Sequence, residues 1–118
     1  MIVGAVLLSA ALAAAPHTAP SDRERNDAIF EVGRARYFHA LVVARKCEAA
    51  LPDQTRLLTV RYDKALATLA EIYGQGIAAS SPLAVPDQPN QQPMCDATLA
   101  GFAEKLGQIE QRASRGQQ

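Results

Sequence analysis

The chain has 118 residues, the size of a single domain. Twelve basic residues balance twelve acidic ones, which argues against a dedicated nucleic-acid-binding domain, since such domains are usually strongly basic. Hydrophobic residues make up 48% of the chain, which excludes global disorder, whereas aromatic residues make up only 5% and Trp is absent, so aromatic stacking platforms are not expected.

The first fifteen residues form an unbroken run of small and apolar residues that ends before Pro16. This run has the length of the apolar region of a signal peptide and is shorter than the roughly 20 residues of a membrane-spanning helix. We therefore expect a cleaved signal peptide over residues 1–15, a leader over 16–20, and a periplasmic or secreted protein that meets the membrane only through its signal peptide. No Lys or Arg precedes the run, so either the amino terminus alone supplies the positive charge or the true start codon lies upstream. Two alternatives to a cleaved signal peptide stay open, a buried N-terminal helix and a retained anchor.

The first predicted helix runs from Asp22 to about Leu51. Ser21 and Glu24 have the spacing of a capping box, in which each side chain accepts a hydrogen bond from the other residue's backbone N–H. Apolar residues three and four positions apart indicate one buried face. That face comprises Phe30, Gly33, Tyr37, Ala40, Ala44, Cys47 and Leu51.

The second predicted helix follows the break at Pro52-Asp53 and runs from about Gln54 to Tyr73, where Gly74 and Gly76 supply a stop. The same spacing gives it a buried face of Leu58, Tyr62, Ala65, Leu69 and Ile72.

The third predicted helix runs from about Pro93 to Ala113 and is followed by a disordered tail over residues 114–118. Its buried face comprises Cys95, Leu99, Phe102, Leu106 and Ile109. Because no segment alternates with the period of a strand, the sequence predicts an all-α domain over residues 21–113, folded as a small three-helix bundle.

Two cysteines in an exported protein indicate a disulfide, and Cys47 and Cys95 allow only one pairing. The bridge requires Cα atoms within about 7 Å, so the third helix must start beside the end of the first and run antiparallel to it. The second helix, which follows a short turn, is also antiparallel to the first. The connection over Gly74–Gln92, which contains three prolines, must therefore cross along the bundle.

No catalytic motif occurs, and the sequence predicts no catalytic residue, no metal and no cofactor. His39 has Ala35, Arg36, Val42 and Val43 at the positions where a second helical ligand would stand, so it is interpreted as a partly exposed histidine. The basic residues Arg34, Arg36, Arg45 and Lys46 are interpreted as a solvated face, since helical geometry spreads them apart. The carboxylates Glu31, Glu48, Asp63, Glu71, Glu104 and Glu110 are scattered, and pairing between helices is left open.

The first two helices carry more apolar residues than one buried face needs. The surplus is Leu41, Val42 and Val43 on the first helix and Leu57 and Val60 on the second. Two interpretations are open: Ile77, Leu83 and Val85 of the crossover cover these residues, or the residues form a surface that binds a partner.

These observations favour a small exported binding or adaptor protein that uses an apolar helical surface and is not an enzyme. Its partner would be another protein or a second copy of the chain. One alternative is a homo-oligomeric structural protein of the cell envelope. Another is a small hydrolase whose carboxylates are brought together by the fold.

Overall fold

The computed structural model describes residues 19–79 and 92–117, and these form helices joined by short turns. Three long helices are connected by shorter elements. In chain order the elements are α1 (Asp22–Ala44), α2 (Cys47–Ala50), α3 (Pro52–Tyr73), α4 (Gly76–Ala79), a 3-10 turn (Gln92–Met94) and α5 (Cys95–Gly116). The described residues include no strand, and the predicted all-α bundle is confirmed.

Side-chain contacts between helices give the topology. Arg45 near the end of α1 contacts Thr98 near the start of α5, and Glu31 near the start of α1 contacts Arg112 near the end of α5. These two helices are therefore antiparallel. The predicted Cys47–Cys95 disulfide is confirmed, with 5.4 Å between the Cα atoms.

The second and third long helices run in the same direction. Tyr62 in α3 packs against Phe102 in α5, and further along both helices Tyr73 pairs with Arg112. The connection between α3 and α5 therefore starts at one end of the bundle and finishes at the other, as predicted. Its middle, residues 80–91, lies outside the described residues, as do the predicted signal peptide and most of the predicted leader.

The start of α1 is the predicted capping box. The Ser21 hydroxyl accepts a hydrogen bond from the Glu24 backbone N–H, and the Glu24 carboxylate accepts one from the Ser21 backbone N–H. The Ser21 hydroxyl also donates to the Glu24 carboxylate, and the two hydrogen bonds that this carboxylate accepts from Ser21 lower the pKa of Glu24.

The end of α1 differs from the prediction, because the helix stops at Ala44 instead of continuing to Leu51. Lys46 adopts a left-handed backbone conformation with φ 57° and ψ 42°, which is unusual for a residue with a Cβ. The chain then forms the separate turn α2, which begins at Cys47. The sequence has neither Gly nor Pro at this break, so no local signal marked it.

The other helix boundaries differ from the predicted ones by a few residues. Pro52 begins α3 instead of preceding it, since a proline at the first helical position loses no hydrogen bond. Gly74 ends α3 with φ 95°, which confirms the predicted stop. Pro93 lies in the 3-10 turn, and α5 extends through Gly116, into the predicted tail.

The core confirms the predicted buried faces of the second and third helices. All five predicted residues of α5 are buried, as are four of the five in α3, and Ile72 is half-buried. The predicted face of the first helix was wrong within α1, where Phe30 is 65% exposed and Gly33, Tyr37, Ala40 and Ala44 are only half-buried, whereas Cys47 beyond the break is buried as predicted. The residues of α1 that are buried are Ala28, Val32, Ala35, Leu41 and Val42.

Small residues allow close packing between the helices. The Phe38 ring lies where a Cβ on Gly101 would stand, so a side chain at this position of α5 would displace the ring. Gly116 meets Ile72 of α3 in the same way. Across the described residues, no helix is both long enough and apolar enough to span a bilayer.

Candidate functional site

A groove opens where α1 ends and α3 begins, and we call it the α1–α3 groove. It encloses about 550 Å³. Three elements supply its lining: His39, Val42 and Val43 from α1, Lys46, Glu48 and Ala49 from the break and α2, and Thr55 and Thr59 from α3. The break at Lys46 creates the groove. If α1 continued as one helix to Leu51, Glu48 and Ala49 would extend along the α1 axis and would not line the groove.

The frame of the groove is held by the disulfide and by short hydrogen bonds. Cys47 is fully buried, and its carbonyl accepts a hydrogen bond from the Thr55 hydroxyl at 3.2 Å. The Arg45 guanidinium donates to the Thr98 hydroxyl at 2.7 Å, and that hydroxyl donates to the Met94 carbonyl at 2.9 Å. The end of α1, the turn α2 and the start of α5 are therefore linked to one another.

His39 forms part of the groove and is half-buried, as its interpretation as a partly exposed helix histidine anticipated. Its ring stacks on Tyr62 with 4.8 Å between centroids and lies 5.6 Å from the Phe102 ring. Burial lowers the pKa of His39, and the nearby charge of Asp63 opposes that shift only in part. The imidazole is therefore mainly neutral at pH 7.

Burial also affects Tyr62, the stacking partner of His39. It raises the pKa of the Tyr62 phenol to about 12, so that side chain stays protonated at neutral pH. The His39–Tyr62 pair therefore presents two neutral rings between α1 and α3.

The five residues predicted as a partner surface do not form one patch. Leu41 and Val42 are buried, although Val42 reaches the floor of the groove. Val43 is 64% exposed at the groove, while Leu57 and Val60 are 61% and 66% exposed on α3. A partner surface can therefore use Val43 on one side of the molecule, or Leu57 with Val60 on another.

The sequence offered three crossover residues to cover the surplus apolar residues of the first two helices, and the structure describes one of them. Ile77 is buried in α4, which follows the C-terminal end of α3 and packs on α1 and α3. It lies at the opposite end of α3 from Leu57 and so does not cover that residue. Leu83 and Val85 lie outside the described residues.

The basic residues in α1 and directly after it make separate contacts. The Arg34 guanidinium lies 5.7 Å from the centroid of the Phe30 ring, Arg45 bonds Thr98, and Lys46 lines the groove. They do not converge on one anionic ligand, in agreement with the predicted spreading of charge.

A cluster of charged and polar groups at the far end of the bundle was missed by the sequence reasoning. The Arg112 guanidinium donates to both carboxylate oxygens of Glu31, at 2.6 and 3.0 Å, and to the Tyr73 hydroxyl at 3.2 Å. These hydrogen bonds raise the pKa of Arg112. The cluster joins α1, α3 and α5, and the Arg25 guanidinium closes the same end by donating to the Tyr73 carbonyl at 2.9 Å.

Most of the carboxylates that look scattered in the sequence form ion pairs with Arg or Lys side chains. Arg61 binds both oxygens of Glu110, at 3.0 and 2.5 Å, and this raises the pKa of the arginine. Glu104 contacts Lys105 at 3.2 Å, and Glu48 lies 3.7 Å from Arg56. In the part of the chain that the structure describes, no group of three or more His, Cys, Asp or Glu side chains is placed to hold a metal ion.

Comparison with known proteins gave no significant match to a family model, to a curated protein or to a solved structure. The function is therefore argued from the geometry of this chain alone.

Proposed function

We propose that the chain is an exported, non-enzymatic binding protein of the periplasm or the extracellular space, and that it takes a protein partner in the α1–α3 groove. The observation that carries the proposal is Val43, which is largely exposed beside a concave surface whose floor is apolar. A large apolar side chain exposed at a preformed cleft is a common feature of recognition sites.

The compartment is supported by the buried disulfide between Cys47 and Cys95. Structural disulfides persist in oxidising environments and are rare in the cytosol of most organisms. The apolar run over residues 1–15 supports export independently, because it has the length and the alanine-rich end of a signal peptide.

The chemistry of the groove favours a protein partner. Val42 and Val43 offer an apolar floor and wall, while Lys46 and Glu48 carry opposite charges beside them. An apolar side chain of the partner would enter the groove, and polar groups next to it would meet Lys46 and Glu48. This pattern of an apolar centre with a charged rim is typical of protein interfaces.

A binding role fits the groove better than a catalytic one does. His39 is the lining residue best suited to act as a base near neutral pH, and its ring packs against the rings of Tyr62 and Phe102. A general base needs a neighbouring hydroxyl, thiol or water held in reach and a group that orients it. Glu48 of the same groove lies against Arg56.

The test uses the full chain with a C-terminal tag, expressed with its own residues 1–15 in a bacterial host. We expect it in the osmotic-shock fraction with a mature N-terminus after Ala15. Protein recovered in the cytoplasm with residues 1–15 intact would contradict the export proposal.

Cross-linking and capture then compare the wild type with Val43→Glu and with the control Phe30→Glu, which changes an equally exposed residue away from the groove. We expect one stoichiometric partner with the wild type and the control but not with Val43→Glu. The purified pair should also shift the NMR signals of Val42 and Thr59. Equal capture by all three proteins, or no stoichiometric partner, would contradict the groove as the binding site.

A further inference from the structure

The outward face of α3 carries four exposed residues with alternating spacings of four, three and four positions. They are Asp53, Leu57, Val60 and Lys64, and we call them the α3 stripe. Such spacing keeps side chains on one side of a helix and is the repeat by which two helices pack along each other.

The α3 stripe faces away from the bundle. The buried face of α3 includes Leu58 and Tyr62, and Val60 lies two positions from each of them, about 200° around the helix. Leu57 and Val60 are accordingly more than 60% exposed, so this helix presents two apolar side chains to solvent.

We propose that the α3 stripe docks on the α3 stripe of a second copy of the chain, with the two helices antiparallel about a two-fold axis. In this arrangement the residues of the two helices pair symmetrically about the midpoint between Leu57 and Val60. Each Leu57 then meets Val60 of the second copy. Such a self-complementary contact closes as a dimer and leaves no open end.

Charge selects the antiparallel direction. The same symmetric register places Asp53 opposite Lys64 of the second copy, and this pair occurs twice. In a parallel arrangement, residues with the same number would lie opposite each other, so Asp53 would meet Asp53 and Lys64 would meet Lys64. Opposite charges at the ends of an apolar centre set the direction and register of paired helices.

The residues beside the stripe add a second complementary pair. Arg56 and Asp63 are exposed and flank Leu57 and Val60, and in an antiparallel pair of helices the Arg56 position faces the Asp63 position of the second copy. Arg56 now lies 3.7 Å from Glu48, with both side chains about two-thirds exposed (66% and 69%), so this contact holds Arg56 only weakly.

The contact is small, since each copy contributes two apolar side chains, and it lies at the weak end of protein interfaces. The dimer is therefore expected to form reversibly at high concentration. Val43 and the α1–α3 groove are not part of the stripe, so this inference is independent of the proposed partner binding and can fail separately from it.

Charge reversal tests the direction and the register together. Sedimentation equilibrium up to about 1 mM is expected to show a monomer–dimer equilibrium for the wild type. Asp53→Lys and Lys64→Asp each place like charges at both ends of the contact, and each should weaken self-association roughly tenfold, since both Asp53–Lys64 contacts change sign. An equimolar mixture of the two variants should recover wild-type association, because every lysine then faces an aspartate.

Asp96→Lys is the matched control, since Asp96, like Asp53, is an exposed acidic residue in the first turn of a helix. It should associate as the wild type does, which separates the loss of the contact from the loss of a favourable charge at a helix N-terminus. Two results would overturn the proposal: a wild type that stays monomeric at about 1 mM, or variants whose mixture associates no better than either alone. Circular dichroism confirms that each variant is folded.

Discussion

The two ends of the bundle are closed by different chemistry. Where α1 stops, the Cys47–Cys95 disulfide joins the turn α2 to the start of α5. At the opposite end, Arg112 joins α1, α3 and α5 through its hydrogen bonds to Glu31 and Tyr73.

The difference shows how each end can be stabilised and what it can carry. A disulfide acts mainly by restricting the unfolded chain, whereas an ion pair acts in the folded state and must first overcome the loss of hydration. The disulfide end therefore holds the left-handed Lys46 and the α1–α3 groove within a cross-linked frame. The opposite end also carries a groove, of about 760 Å³, beside Tyr73, Gly74 and Gly116. The other end is held by the packing and geometry of charged side chains.

Removal of the disulfide should have the largest effect. Cys47 and Cys95 are 48 positions apart, and closing a loop of that size is worth about 4 kcal/mol in the chain-entropy model. We expect Cys47→Ala/Cys95→Ala to lower the free energy of unfolding by about that amount in urea denaturation.

Wild-type protein reduced with dithiothreitol is the control and should match the double variant. In hydrogen exchange of the double variant, amides at the start of α5 should lose protection before those near Arg112. A loss below about 1 kcal/mol would mean that the two ends do not differ in the way described.

Loss of Arg112 should have the next largest effect. Arg112→Met leaves the carboxylate of Glu31 without its cation in a largely buried position, since the two side chains are 13% and 27% exposed. We expect the free energy of unfolding to fall by about 2 kcal/mol, measured by urea denaturation.

Arg56→Met is the matched control, because Arg56 and its partner Glu48 are both about two-thirds exposed, at 66% and 69%. That change should cost less than about 0.5 kcal/mol. Equal losses for the two variants would show that burial of the Arg112 pair contributes nothing.

Low pH should destabilise the disulfide end of the bundle through protonation of His39. Burial lowers the pKa of His39 in the folded state, so the unfolded chain binds a proton at a higher pH than the folded chain does. The stabilising contribution is therefore present above pH 6.5 and is lost as the pH falls from there through the lowered pKa of the folded state. We expect this to be the smallest of the three effects.

The measurement is thermal unfolding as a function of pH, with His39→Phe as the variant that keeps a ring stacked on Tyr62 but cannot be protonated. The variant should lose the part of the acid slope below pH 6.5 that belongs to His39. If the pH dependence of thermal unfolding is unchanged in the variant, His39 is not the source of the acid sensitivity.

The helical fold and the disulfide were predictable because local signals and one unique cysteine pairing defined them. In α5 the apolar residues form a single face with polar residues opposite, so burial of Leu99, Phe102 and Leu106 follows from spacing alone. The first helix has apolar residues on most sides, and its sequence did not distinguish the face of Phe30 from the face of Val32. Packing in the shared core decided that choice, because Val32 belongs to the buried cluster formed with α3 and α5 residues and Phe30 does not.

The candidate site depended on contacts between distant residues. The groove exists because the helical path breaks at Lys46, where no glycine or proline marks a break, and because Cys47 must reach Cys95. Arg112 and Glu31 are 81 positions apart, and nothing local to either residue indicates their pairing.

The sequence by itself determined the all-α fold, the order and direction of the long helices and the disulfide, since these depend on spacing along one helix or on a unique pairing. Only the tertiary structure decided which face of α1 is buried, where α1 ends, and which charged groups meet. Those outcomes depend on how side chains from three helices fill a shared volume, and that information is not contained in any one segment.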